Sequence, residues 1–271
     1  VFFALKAVNY AMSNYVDFVV VGHICQVPVA WALKKLGLVR SYSLVLHGIE
    51  AWRKAAWFDY PAARGAGCVV ATTHFTAREF SRLNGIDPER FRVIPISIAV
   101  EKIEVPAVSR GRAGEIRLLT VARLTASDKD KGVDTLINAV AKGRDNSVKV
   151  HLTVVGDGDD RQRLIHIAAN MNLDSQTIFL GTVSNKRLEQ LYRGCDVFAM
   201  PSKKEGFGIV FLEATRFGKP CIAGNHGGIP EVVTHGVDGY LVDYGDVGQI
   251  AKYLIELVQK PELGHAMGLR G

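Results

Sequence analysis

No run of apolar residues in this 271-residue chain reaches the roughly 20 that a membrane-spanning helix needs. The longest, Phe18–Leu33, is interrupted by His23, Gln26 and Pro28 and predicts a buried strand followed by a helix. Cysteine is scarce. Cys25, Cys68, Cys195 and Cys221 lie far apart, mostly in apolar runs, without the spacing of a metal site or a disulfide framework. They are expected to be buried thiols in a reducing compartment. His74, His151, His166, His226, His235 and His265 also lack ligand spacing, so no metal site is expected. No basic run is interleaved with aromatics, which argues against a nucleic-acid partner. No basic segment leads into an apolar stretch with a small-residue cleavage site, so no signal peptide is expected. Together these absences predict a cytoplasmic protein, and there is no internal repeat or low-complexity segment.

What is present is ordinary globular composition, 48% hydrophobic and 22% charged. The length suits two small domains or one large one. The net charge of +6 is uneven: residues 1–110 hold 13 Lys/Arg against 8 Asp/Glu, residues 111–271 hold 20 against 19. A basic first half suits peripheral contact with an anionic membrane face, an anionic acceptor, or simply a solvated surface.

Apolar, β-branched runs alternate with helical patterns almost throughout. Strands are predicted at Phe18–Val21, Ser43–Leu46, Cys68–Thr72, Arg92–Ile94, Ile116–Val121, Val150–Val155, Thr177–Leu180, Val197–Met200, Pro220–Ala223 and Tyr240–Val242. Helices are predicted at Gly132–Lys142, Arg161–Met171, Lys186–Arg193, Ile209–Phe217 and Asp246–Val258. Such alternation implies an α/β fold with parallel sheets. The rhythm breaks at Ile103–Glu115, which places one domain at residues 1–110 and a second at 111–271. Open parallel sheets bind ligands beyond the carboxyl ends of their strands, and two facing sheets create a cleft for a substrate. The first domain offers only about four strands and opens on a helix at Val1–Tyr15, and Pro261–Gly271 also reads as helix. The chain is expected to be part of a longer protein, with a truncated first domain.

Two stretches carry the chemistry. In Pro201–Lys219 a strand ends in Pro-Ser, a charged loop follows, and Gly206-Phe207-Gly208 opens a helix at Ile209. Glycines there let the backbone approach a ligand, and free N–H groups favour an anion such as phosphate. Glu205 and Glu213 bracket this turn. If the whole segment were helical, their separation would be about 12 Å with roughly 80° of rotation. One carboxylate would then suit a sugar and the other a ribose, although an amphipathic helix with two incidental glutamates explains the same pattern. In Leu118–Leu136 a strand ends at Arg123, and a polar loop carries Lys129 and Lys131 before Gly132. Arg and Lys at a strand's carboxyl end can pair with a diphosphate. Lys131, adjacent to Gly132, is the stronger candidate of the two lysines, and Lys129 reads as part of a solvated turn.

From residue 116 to 258 the order of motifs resembles the donor domain of the retaining glycosyltransferases of family 4, which have the two-domain GT-B fold. The match comprises VARL with Lys131-Gly132, VVGDG at Val154–Gly158, FLGTVS at Phe179–Ser184, Tyr192, CDVFAMPS at Cys195–Ser202, the Glu205/Glu213 pair, and GGIPEVV at Gly227–Val233. The resemblance implies two Rossmann-like domains. It implies that Arg123 and Lys131 bind the donor diphosphate together with Gly206, Phe207, Gly208 and Ile209, that Glu205 contacts the transferred sugar, and that Glu213 holds the ribose. Ala122 stands where the family usually has glycine. The first half resembles the family more loosely: His47-Gly48 matches its acceptor-side histidine, whose imidazole can hydrogen-bond a sugar hydroxyl. Ile96-Ser97 departs from the usual Asn-Gly after Ile94-Pro95.

The resemblance therefore implies retaining transfer of a hexosyl group from a nucleoside diphosphate sugar to a hydroxyl acceptor: a glycan, a lipid-linked saccharide or a lipid. His47 and Glu205 are the candidate catalytic residues, and neither a cofactor nor a metal is expected. Two alternatives stand beside it, a nucleotide-sugar epimerase of the same fold and a nucleotide-sugar binding fragment without turnover.

Overall fold

A computed structural model describes residues 2–99 and 114–271. The chain divides into two compact units, Val1–Ile96 and Ser97–Gly271. The boundary expected between residues 110 and 111, and most of the break at Ile103–Glu115, lie outside the described residues.

The first unit runs α1 (Phe2–Ser13), β1 (Phe18–Val21), α2 (Val27–Lys35), β2 (Ser41–Leu46), α3 (Asp59–Gly65), β3 (Cys68–Ala71), α4 (His74–Asn84) and β4 (Phe91–Val93). Its four strands are parallel and lie in chain order β1-β2-β3-β4. Leu44, Leu46, Val69, Ala71 and Phe80 build its core. Local signals set α4: Thr73 accepts from the Thr76 backbone N–H at its start, and Gly85 ends it at φ +56°.

The second unit runs β5 (Glu115–Val121), α5 (Val133–Asp145), β6 (Lys149–Val155), α6 (Arg161–Asn170), β7 (Thr177–Gly181), α7 (Asn185–Gly194), β8 (Val197–Met200), α8 (Ile209–Arg216), β9 (Cys221–Gly224), β10 (Gly239–Val242), α9 (Val247–Gln259) and α10 (Pro261–Gly268). Its six strands are all parallel, in the order β10-β9-β8-β5-β6-β7. Successive residues of β5 serve opposite faces: Leu118 packs with Leu136, Val140 and Leu254, whereas Leu119 packs with Phe198, Phe211 and Phe217. A parallel sheet covered on both faces needs such continuous apolar runs, which is why each strand is visible in the sequence to within two residues.

The expectation of a fully buried Phe18–Val21 strand is corrected. The strand forms, but β1 lies at the sheet edge, and Phe18 and Val20 are 52% and 65% exposed. Only two of the four thiols are buried. Cys195 and Cys221 lie in the core, where burial raises both thiol pKa values, that of Cys195 to about 12; Cys25 is exposed and Cys68 half-buried. Among the described residues no helix is long and apolar enough to cross a membrane.

Candidate active site

The strand order of the second unit reverses between β5 and β8. The chain steps outward from β5 to β6 and β7, then returns to β8 on the other side. Two loops therefore diverge at the carboxyl ends of these neighbours, the crevice where open α/β sheets hold ligands. One carries Arg123 through Gly132, the other Pro201 through Gly208. Every donor-site residue named from the sequence lies on one of these loops or on α8.

Gly132 brings the loops together. It ends the 3₁₀ turn Ala126–Lys131 and starts α5 with φ +73°, and a Cβ there would sit 2.6 Å from the Pro201 carbonyl oxygen. The Lys203 N–H donates to the Asp130 carbonyl at 2.7 Å, and Lys204 Nζ pairs with Asp130 Oδ2 at 2.9 Å. Lys131 then reaches across: its Nζ lies 2.6 Å from Glu205 Oε2 and 3.4 Å from the Lys204 carbonyl oxygen. Both side chains are largely buried, 13% and 20% exposed. Two residues implied to serve different parts of a donor are thus in direct contact.

The helix begins at Ile209, as the sequence predicts, so Glu205 lies in the loop before it and the separation worked out for an all-helical segment does not apply. Gly208 caps α8 with φ +88°, a conformation that ends the loop and fixes the helix start. A Cβ at Gly208 would meet the Phe211 ring at 2.6 Å. Among the described residues no side chain caps this N-terminus, so the end of α8 presents backbone N–H groups and positive dipole charge beside Lys131. Glu213, the fifth residue of α8, is half-buried and accepts a 2.9 Å hydrogen bond from the Tyr192 hydroxyl.

Arg123 is 78% exposed and meets Asp128 at 3.2 Å rather than Glu205. Lys129 turns to Asp160, 3.9 Å away, so the two loop lysines point to different partners. Beneath the loop, the Asp157–Asp160 turn after β6 holds it in place. The Leu124 N–H donates to the Asp157 carbonyl, the Ala126 N–H to Asp159 Oδ1, and the Asp160 N–H to the Leu124 carbonyl. Arg163 clasps Asp160 through two hydrogen bonds of 2.6 and 2.7 Å, which lowers the Asp160 carboxyl pKa. Sequence reasoning missed this clasp and the Tyr192–Glu213 bond, although Asp160 and Arg163 stand at the i,i+3 spacing that pairs side chains on a helix start.

Two Asp-x-Asp spellings occur, Asp128-Lys129-Asp130 and Asp157-Gly158-Asp159. Their carboxylates serve loop structure: Asp128 accepts from Arg123 and Thr125, Asp130 pairs with Lys204, Asp157 accepts from the Gly158 N–H, and Asp159 from the Ala126 N–H. Among the described residues no three His, Cys, Asp or Glu side chains are grouped to hold a metal ion.

In the first unit, His47 follows β2 directly. Its backbone N–H and that of Gly48 both donate to Glu50 Oε1, at 2.6 and 3.1 Å. Its Nε2 lies 3.0 Å from the Gly22 carbonyl oxygen. A carbonyl accepts only, so Nε2 donates to it.

The family described as glycosyl transferases group 1 matches residues 102–271. The chain belongs to this family. It is 36% identical over 194 residues to a GDP-mannose-dependent alpha-(1-6)-phosphatidylinositol monomannoside mannosyltransferase of Mycobacterium tuberculosis, covering 69% of this chain and 48% of that protein. The chain thus spans about half the length of the curated relatives it matches. The fold is similar to that of Anabaena HepE in complex with UDP and glucose, with a TM-score of 0.81 at 24% identity over 98% of this chain and 74% of that one. It is also similar to a sucrose-phosphate synthase from Thermosynechococcus elongatus, with a TM-score of 0.84 at 22% identity over 99% of this chain and 71% of that one. The α/β architecture of parallel sheets is of the GT-B type, as the sequence resemblance implied.

Proposed function

We propose that this member of the glycosyl transferases group 1 family takes part in retaining transfer of a hexosyl group from a nucleoside diphosphate sugar to a hydroxyl acceptor. The observation that carries the reading is the Lys131–Glu205 contact at the β5/β8 switch point, beside the N-terminus of α8. An ammonium and a row of backbone N–H groups suit a diphosphate, and a carboxylate in contact with that ammonium suits the sugar joined to it. The names of similar proteins support this donor class: one relative is GDP-mannose-dependent, and one structural neighbour holds UDP and glucose.

In this reading the donor's glycosidic C–O bond breaks as negative charge grows on the leaving diphosphate. Lys131, Arg123 and the N–H groups at Gly206–Ile209 stabilise that charge, and removing one such donor lowers the rate by roughly 10²–10³-fold. The leaving phosphate oxygen accepts the proton of the incoming hydroxyl on the same face, so configuration is retained. His47 orients a sugar hydroxyl. Transfer needs neither metal nor cofactor, because side-chain cations and helix amides meet the diphosphate charge. The acceptor is a glycan, a lipid-linked saccharide or a lipid, and the basic first half suits an acceptor at an anionic membrane face.

Product analysis tests the reading. The full polypeptide is incubated with UDP-, GDP- or ADP-hexoses and a hydroxyl acceptor, and the product anomer is assigned by NMR. A transferred hexose with the donor's anomeric configuration is expected. An inverted product, an isomerised donor, or binding without turnover overturns it.

A further inference from the structure

Tyr192 sits at the end of α7, 1% exposed, in a cage of aromatic rings. Its ring stacks on Phe217 at 5.8 Å with an interplanar angle of 12°, and it leans on Phe198 at 5.7 Å. Such packing leaves the ring little rotational freedom. Its hydroxyl donates to Glu213 Oε2 at 2.9 Å. Burial first, and the neighbouring carboxylate second, raise the Tyr192 pKa, so the phenol stays protonated and keeps donating at any ordinary pH. Glu213 stands on the exposed side of this bond, half-buried, on a helix whose first residues border the Lys131–Glu205 pair. A glutamate on a helix has three rotatable bonds, and ordering them costs entropy at the moment of binding. A bond from a fixed ring removes that freedom in advance.

We propose that Tyr192 is a positioning residue: its hydroxyl claims Oε2 of Glu213 and holds the other oxygen, Oε1, ready for the ribose hydroxyls of a nucleoside diphosphate. The proposal rests on the reading of Glu213 as the ribose contact. It accounts for a buried tyrosine whose polar end points at a binding residue in a core that a phenylalanine would fill equally well.

Tyr192→Phe keeps the stacked ring and removes only the hydroxyl. The wild-type chain, Y192F and Glu213→Gln are titrated calorimetrically with UDP, GDP and ADP and with their 2′,3′-dideoxy counterparts. Y192F is expected to weaken the ribonucleotide about five- to tenfold, the scale of one ordinary hydrogen bond's net worth, and to leave the dideoxy affinity within about twofold. A purely structural role of Tyr192 would weaken both sugars equally, and that result overturns the proposal. Unchanged or tighter ribonucleotide binding by Y192F overturns it too, because a released Oε2 would then serve the ribose as well as Oε1. E213Q separates the two levels. If its loss is confined to the ribonucleotide while that of Y192F is not, the positioning role fails and the ribose reading stands; if E213Q weakens both sugars equally, the ribose reading itself fails.

Discussion

Neutralising Glu205 should separate the sugar from the nucleotide. Lys131 and Glu205 face each other at 2.6 Å with most of both side chains out of water. At an effective dielectric of about 20 the gross attraction is roughly 6 kcal/mol, most of it offset by the desolvation of both ions. A diphosphate must therefore share or capture an ammonium that is already paired. Glu205→Gln removes the competing charge yet keeps an amide oxygen to hold the lysine in place. Free nucleoside diphosphate should bind the variant at least as tightly as the wild type. The intact donor should bind more weakly by about 1.5–3 kcal/mol, the worth of a lost charged hydrogen bond to the sugar. Glu213→Gln should weaken both ligands, since both contain the ribose. Calorimetric titration of each variant with nucleotide and nucleotide sugar reads these losses separately. If Glu205→Gln weakens the free nucleotide as much as Glu213→Gln does, the orientation of the donor along this segment is refuted.

Three further outcomes are expected. Turnover should persist in excess EDTA, because Arg123, Lys131 and the α8 amides meet the diphosphate charge; complete loss restored by Mn²⁺ or Mg²⁺ would contradict this. Asp160→Asn should lower the melting temperature at pH 7 by breaking the clasp with Arg163, at a cost of about 1–2 kcal/mol. Since the folded carboxyl pKa is depressed, that contribution is full above the ordinary aspartate value of 3.8 and disappears as pH falls through the lower folded value; a difference from wild type that persists unchanged at the acid end would show that the charge is not its source. Gly208→Ala should reduce donor affinity at least tenfold, because its φ of +88° and the Phe211 ring 2.6 Å from the added methyl force the helix start to move; unaltered affinity in calorimetry would remove the α8 N-terminus from the site.

Much of this was legible because parallel strands advertise themselves. A buried run such as Ile116–Val121 has no polar face, and each run ends in the loop that carries function. The different settings of the two loop lysines have a local cause: Lys131 adjoins Gly132, whose backbone closely approaches Pro201, whereas Lys129 turns to Asp160. The same apolar signal concealed the position of β1: Phe-Val-Val-Val reads identically at the centre and at the edge of a sheet, and only pairing distinguishes them. The Tyr192–Glu213 bond was hidden because it joins different helices across 21 positions, and no local period reports such a meeting. The helix start at Ile209 was legible from Gly206-Phe207-Gly208, and the left-handed backbone of Gly208 is its physical cause. The acidic spellings around Asp128 and Asp157 show the converse, letters that match a motif while their carboxylates are spent on their own loops.

In the proposed function the β5/β8 switch point of the second unit holds the donor diphosphate through Lys131. Its most direct test is calorimetric titration of UDP, GDP and ADP into the wild-type chain, Lys131→Ala and Lys129→Ala. Lys131→Ala should weaken binding of the preferred nucleotide by about 1.5–3 kcal/mol, while Lys129→Ala, whose ammonium meets Asp160 rather than Glu205, should leave it unchanged. Equal losses at the two lysines, or full affinity without Lys131, would contradict it.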